Sequence, residues 1–263
     1  MTGYACLLRI AAAPRQTFII GADGMHSIVR QRVANSFGER YSGQSCYRAL
    51  TEYELPSGVS DGGVEYWGSG RRFGFAAVGN GKVYWYATFE APRGEKDSPQ
   101  GLKAKLAQFG AEFPSPVPDL IAHTREDIVL RSDINDLIPL DTWHNKRVVL
   151  IGDAAHGSTP NLGQGGAQAM EDAFVLGRKL ALQRLLDVLS QGCSTHLLLE
   201  QALAGFENVR VAKTLMVTRR SWSVGKLAHI SNPVGRWARN LLLHRIAARR
   251  AQKEMEALFS LNY

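Results

Sequence analysis

One stretch limits what this chain can fold into more than any other: residues 147–173, reading RVVLIGDAAHGSTPNLGQGGAQAMEDA. Val148-Val149-Leu150-Ile151 is a short apolar run rich in β-branched residues, the pattern of a buried strand. It stops at Gly152-Asp153. A loop containing Pro160 and the glycines 163, 165 and 166 follows. Ala167, Met170, Phe174 and Leu176 then recur at helical spacing. A carboxylate at a strand end, a glycine-rich turn and a helix N-terminus together make a place to hold a polar, anionic cofactor. Glycine lets backbone approach the ligand, and the first helical N–H groups carry partial positive charge.

The same design occurs a second time. Phe18-Ile19-Ile20 reads as a buried strand closed by Gly21-Ala22-Asp23-Gly24, after which Ser27 caps a short helix running to Val33. Within residues 1–17, Tyr4 to Ala13 fits a strand or a short helix equally well. Between the two units the pattern changes to strands. Val64, Tyr66, Phe73, Phe75, Val78, Val83, Tyr84, Trp85 and Phe89 supply β-branched and aromatic residues, and Asn80-Gly81 is a two-residue hairpin signal. An antiparallel sheet is expected over 41–90. A helix over 102–113 should end at Pro114, Pro116 and Pro118, with a short helix near 120–123 and an extended segment over 128–140. Helices are expected over 167–189, 195–223 and 234–258.

Composition narrows the classes. The length of 263 residues, with 45% hydrophobic and 21% charged, is ordinary for a globular protein with a sizeable core. No run approaches the roughly 20 apolar residues of a spanning helix. Cys6, Cys46 and Cys193 lie far apart and match no metal or disulfide spacing, which points to a reducing, cytoplasmic setting. The net charge of +7 is local: residues 209–253 hold 11 Lys and Arg and no Asp or Glu, while the remainder holds 20 basic and 24 acidic groups. The charge accompanies no nucleic-acid module, so nucleic acid is not an expected partner. Two readings stand for 234–258. One is a helix with its apolar stripe packed on the body and its arginines in water, which is favoured; the other is a basic helix lying on an anionic membrane.

Gly21-Ala22-Asp23-Gly24-Met25-His26-Ser27-Ile28-Val29-Arg30 resembles the DG motif of the FAD-dependent aromatic-hydroxylase-type monooxygenases, single-component flavoproteins. Gly152-Asp153-Ala154-Ala155-His156, with Pro160 to Gly166 and Glu171-Asp172-Ala173, resembles their GD motif, in wording nearest the zeaxanthin epoxidase-like and urate hydroxylase-like branch. The resemblance covers about residues 18–250. It implies an α/β (mixed α+β) protein: a partial FAD/NAD(P)-binding Rossmann-like domain from 1–40 and 141–190, an inserted antiparallel substrate sheet over 41–140, and C-terminal helices over 191–263. It implies FAD as cofactor, NAD(P)H as reductant, and O2 and a small organic molecule as substrates of a hydroxylation or epoxidation. It also implies cofactor-binding roles. Asp153, with Gly152, would hold the ribityl–pyrophosphate region. Pro160, Gly163, Gln164 and Gly165 would lie beside the flavin ring. Asp23 and Gly24 would bridge the FAD and nicotinamide sites. The family's GxGxxG turn has no counterpart in this sequence, since Gly68-Ser69-Gly70 lacks the third glycine and lies in the β-rich insert. The expectation that follows is a chain that holds FAD weakly or not at all by itself, and the alternative function is a truncated, non-catalytic remnant unable to hold FAD alone. His156 is open between an acid–base role and a packing role. Tyr84 and Tyr86 should share one sheet face, with Val83, Trp85 and Ala87 on the other. Arg48 and Arg72 read as solvated or sheet-face residues, and no catalytic side chain is named.

Overall fold

The computed structural model describes residues 6–9, 17–34, 38–59, 62–98, 101–190 and 195–244. The fold is mixed α/β, and the chain divides into two compact units. The first lies within Met1–Arg40 and Asn135–Val224, the second within Tyr41–Ile134 and Gly225–Met255.

The first unit is built on a four-stranded sheet. Strand β1 (Cys6–Arg9) runs antiparallel to β2 (Thr17–Gly21), while the rest of 1–17 lies outside the described residues. Strand β2 is followed by the short helix α1 (Arg30–Val33). It pairs in parallel with β9 (Val148–Leu150), Ile19 opposite Val148 and Gly21 opposite Leu150. The two-residue β8 (His144–Asn145) closes the other edge. Two glycine-terminated strands about 130 residues apart in sequence are thus nearest neighbours in the sheet. Helix α4 (Asp153–His156) follows β9, and α5 (Gly165–Ser190) and α6 (Thr195–Ala228) complete the unit. Phe18, Trp143, Val149, Leu150, Val175, Leu176, Leu203 and Phe206 form its core. Each large apolar side chain withdrawn from water contributes about 1.5–3 kcal/mol.

The α5 stripe differs from the expectation. Met170 and Phe174 are 71% and 54% exposed, whereas Gln168, Glu171, Asp172, Val175 and Leu176 are buried. The inward face begins polar because α6 presents a buried arginine to it, and only the next turn is apolar.

The second unit carries a five-stranded sheet ordered β4 (Val64–Trp67), β5 (Arg71–Ala77), β6 (Lys82–Glu90), β3 (Glu39–Glu52), β7 (Leu130–Leu137). Its described pairings β3–β6, β4–β5 and β5–β6 are antiparallel, as expected over 41–90. Asn80 and Gly81 have φ of 52° and 65°, the two positive values that a type I′ hairpin turn requires. Val83, Trp85 and Ala87 are fully buried on one face against α2 (Leu102–Gly110) and α3 (Val117–His123), while Tyr84 on the opposite face is 37% exposed. Gly74 lies opposite Tyr86, and a Cβ there would fall 2.3 Å from that ring, so only glycine admits the tyrosine across the strand.

Of the two readings of Arg72, solvated or sheet-face, the structure gives the second: it lies on β5 and is 2% exposed. Its Nε donates to Thr88 Oγ1 at 3.1 Å, and its Nη1 lies 3.4 Å from Glu65. Arg48 is exposed and bonds Ser132. Residues 233–244 form a further helix, here α7; the rest of the expected 234–258 helix lies outside the described residues. Its favoured orientation is also corrected. Arg239 is 3% exposed and donates to the Ala228 carbonyl at 3.1 Å, while Val234 and Trp237 are 76% and 68% exposed.

Candidate functional site

The candidate site lies in the first unit, where β2 and β9 end side by side. The Ile151 N–H donates to the Gly21 carbonyl at 3.0 Å, which carries the sheet pairing to the last residue before Gly152. Gly21 sits where the two strand ends meet: a Cβ there would lie 2.7 Å from Leu150 and 2.8 Å from Val29. Arg30, 4% exposed, fastens the turns to each other. Its Nη1 donates to the carbonyl oxygens of Ala154 at 3.0 Å and Asp153 at 3.5 Å, and its Nη2 donates to the Met25 carbonyl.

The Asp23 turn is a cap. Asp23 Oδ1 accepts from the Ser27 hydroxyl at 2.5 Å, and Oδ2 accepts from the amides of Ile28 at 2.8 Å and Val29 at 3.2 Å. Partial burial alone would raise its pKa; the Ser27 hydroxyl and these amides outweigh that and hold it below the usual carboxylate range. Ser27 Oγ in turn accepts from the Arg30 amide at 2.9 Å, the capping bond expected of it. Gly24 has φ +78°, the left-handed region that favours glycine.

At the second turn Gly152 has φ +59° and ψ −145°, a conformation essentially restricted to glycine. A Cβ on it would stand 3.1 Å from that of Ala169 on α5. The Gly152 amide donates to Asp172 Oδ2 at 2.8 Å. Asp153, the next residue, is exposed, and its carboxylate takes no hydrogen bond from the described residues. A Cβ built on Gly165, the first residue of α5, would be 3.8 Å from Asp153 Oδ1, so the carboxylate stands beside the helix N-terminus. The free N–H groups of the first turn of this 26-residue helix open at the same place.

A 3₁₀ turn, Pro160–Leu162, and Gly163 in the left-handed region (φ +62°) bring the chain from α4 to α5. Asn161 anchors it, donating to the Ser221 carbonyl at 2.9 Å and to Thr159 Oγ1 at 3.0 Å. Gly163 and Gly166 have open space where a side chain would be. Gln164 is buried, yet its Oε1 has no hydrogen-bond partner among the described residues. An unused buried acceptor costs about 1–3 kcal/mol unless a ligand donor meets it. Together these features fit a flavin: a free carboxylate for hydroxyl groups, open glycine backbone and helix N–H groups for an electron-rich ring edge, and a waiting acceptor for a ring N–H.

Beneath the turns lies a charge network that the sequence reading did not contain. Arg210 on α6 is fully buried. Its Nε donates to Asp172 Oδ1 at 2.7 Å, its Nη1 to Glu171, and its Nη2 to the side chain and carbonyl of Gln168 at 2.8 and 3.2 Å. Lys213 reaches both oxygens of Glu171 at 2.9 Å. His156 Nε2 lies 2.6 Å from Asp172 Oδ2, and its ring stacks on Trp143 with centroids 5.0 Å apart. His156 thus packs under the loop and has Asp172 as its carboxylate partner. Burial alone would raise the Asp172 pKa; His156 and Arg210 outweigh it and hold the carboxyl below its ordinary value. A signal for Arg210 does exist in the sequence. Leu203, Phe206, Arg210, Thr214, Val217 and Ser221 recur at helical spacing, all are buried, and the arginine sits mid-stripe.

Against this geometry, comparisons with known proteins are specific. A family model described as an FAD binding domain matches residues 14–185. The chain is 36% identical over 233 residues to the aurachin C monooxygenase/isomerase of Stigmatella aurantiaca, covering 88% of this chain and 57% of that protein. It is 38% identical over 163 residues to the chloroplastic zeaxanthin epoxidase of Arabidopsis thaliana, covering 62% of this chain and 24% of that one. The crystal structure of Klebsiella pneumoniae HpxO complexed with FAD and uric acid superposes with a TM-score of 0.77 at 27% identity, over 92% of this chain and 60% of HpxO. The chain thus spans somewhat over half the length of the first of these relatives. A strand–Gly-Asp–glycine loop–helix site, a matching DG strand beside it and a family model covering most of the chain lead to one conclusion: this protein belongs to the FAD binding domain family of the FAD-dependent aromatic-hydroxylase type.

Proposed function

We propose that the protein works as an FAD-dependent monooxygenase, hydroxylating or epoxidising a small organic molecule with NAD(P)H and O2, in a reducing, cytoplasmic setting. The observation that carries this reading is the unpaired Asp153 carboxylate beside the N-terminus of α5, with the unused Gln164 acceptor in the loop between. Bound FAD would supply the two-electron chemistry that passes reducing equivalents from a nicotinamide cofactor to O2. The chain's own part is to bind and orient. Asp153, on the Gly152 turn, accepts hydrogen bonds from ribityl or ribose hydroxyls. Pro160, Gly163, Gln164 and Gly165 form the surface against the ring, with the α5 N–H groups favouring negative charge at its pyrimidine edge. Asp23 and Gly24 set the neighbouring turn, and Arg30 holds the two turns in register. By their descriptions one relative is a zeaxanthin epoxidase and HpxO is complexed with uric acid, which supports a planar or polyunsaturated organic substrate as a class. The test is NADH and NADPH oxidation by the FAD-loaded protein across aromatic, purine and isoprenoid compounds, with oxygenated product followed by mass spectrometry. Substrate-dependent oxidation with incorporation of one atom from 18O2 is expected. A loaded protein that oxidises neither nicotinamide with any of these classes would sink the proposal.

A further inference from the structure

Helix α7 is turned inside out relative to an ordinary surface helix. Its inward side carries Arg239, 3% exposed, whose Nη1 donates to the Ala228 carbonyl at 3.1 Å and whose guanidinium lies 5.6 Å from the Trp67 ring. Its outward side carries Val234, Trp237, Leu241 and Leu242, exposed by 76%, 68%, 38% and 50%. Positions i, i+3, i+7 and i+8 fall on one arc of a helix, so the four side chains form one continuous apolar strip. Leaving an indole and three aliphatic side chains in water while burying an arginine is unfavourable for a helix whose outward face only meets solvent.

We propose that the outward face of α7 docks on an anionic lipid bilayer, the helix lying in the plane of the headgroups. Two features select lipid over a protein partner. A helix with a large apolar strip led by tryptophan suits the boundary between headgroups and acyl chains, where indole is favoured. The charge of the segment that carries it is also of one sign: residues 225–253, which include α7, hold seven Lys and Arg and no acidic residue. Anionic headgroups complement that segment, whereas a protein partner or a second copy of this chain would bring the same cations together or need an acidic counterpart. The proposal is independent of flavin chemistry.

The experiment is flotation of the purified chain with vesicles of phosphatidylcholine alone and of phosphatidylcholine with phosphatidylglycerol, in low and high salt. It is repeated with Trp237→Ser/Leu241→Ser and, separately, Val234→Glu, whose folding is checked by circular dichroism and thermal melting. Binding to the anionic vesicles is expected, weakened by salt and weakened about tenfold or more in both variants. Binding unchanged in the variants would overturn the proposal, because charge alone would then suffice. So would binding indifferent to lipid charge, or no binding at all, the result expected if the chain's own residues cover the strip. A concentration-dependent dimer that both variants dissolve would overturn it in favour of a self-interface.

Discussion

Replacing Arg210 by methionine removes a fully buried cation and keeps most of the side-chain volume. Arg210 holds Asp172, Glu171 and Gln168, and Asp172 in turn holds the Gly152 amide. Glu171 retains Lys213 after the substitution, so the loss falls on Asp172, itself fully buried, which keeps only His156 and the Gly152 amide. Breaking one partner of a buried ion pair costs about 3–5 kcal/mol. In urea unfolding followed by far-UV circular dichroism, Arg210→Met should lose that amount. Arg210→Met/Asp172→Asn should lose at least about 1 kcal/mol less than the sum of the singles, the coupling expected of direct partners. The acid limb should move as well. Asp172 has a depressed folded pKa, so its stabilisation is complete above the unfolded carboxylate value of about 3.9 and is lost as pH falls through the folded value. Without Arg210 that folded value rises, and acid unfolding should begin at higher pH. A loss under about 1 kcal/mol, strict additivity, or an unmoved acid limb would refute the network as the support of the Gly152 turn.

Three further outcomes follow from single residues. His229 Nδ1 lies 2.8 Å from the Gly225 carbonyl, so that nitrogen carries the proton and Nε2 accepts from Thr88; burial, then the charge of Arg72, lowers its pKa from 6.5 to about 4. A histidine kept neutral stabilises the fold above the unfolded pKa and loses that contribution as pH falls from 6.5 towards 4, here about 3 kcal/mol, so His229→Gln should flatten the urea-measured stability profile in that window. Burial raises the Cys46 thiol to about 11, so iodoacetamide labelling of Cys46 at pH 8, read by peptide mass spectrometry, should be at least about a hundredfold slower than for a free cysteine. Gly152→Ala should cost about 1–3 kcal/mol in thermal melting because of its backbone angles and the contact with Ala169, while Gly166→Ala, with open space at the same loop, should change stability by under about 0.5 kcal/mol.

Much of this fold was legible in the residues. Short β-branched runs before Gly-Asp turns give β2 and β9, and Asn80-Gly81 gives its hairpin, because these signals are local and backbone-determined. The adjacency of the Gly21–Gly24 and Gly152–Asp153 turns was legible only through resemblance, since no local rule pairs strands so far apart. What escaped was the orientation of helices. Spacing shows that apolar residues share a face but not whether that face points inward. Met170 and Phe174 on α5 face solvent because Gln168, Glu171 and Asp172 turn inward to Arg210 of α6, and Val234 and Trp237 on α7 face solvent with Arg239 on the inner side. Arg210 and Arg239 are unreadable as core residues from charge, because their burial is set by partners on other elements: Asp172 and Glu171 for one, the Ala228 carbonyl for the other. In the site, the glycines and Asp153 were readable from chemistry. The resemblance puts Asp23 between the FAD and nicotinamide sites; its capping of the turn through Ser27, Ile28 and Val29 is a local role that spacing did not reveal.

The central claim is that the Gly152–Asp153 turn and the glycine loop are a flavin site, and titration of the chain with FAD, followed by flavin fluorescence and calorimetry, tests it most directly. The account predicts saturable one-to-one binding that Asp153→Ala weakens about 10–100-fold without lowering the melting temperature of the flavin-free protein, the loss of a charged hydrogen bond worth about 1.5–3 kcal/mol. Binding that Asp153→Ala leaves unchanged, or a chain that takes up no FAD at any attainable concentration, would contradict it.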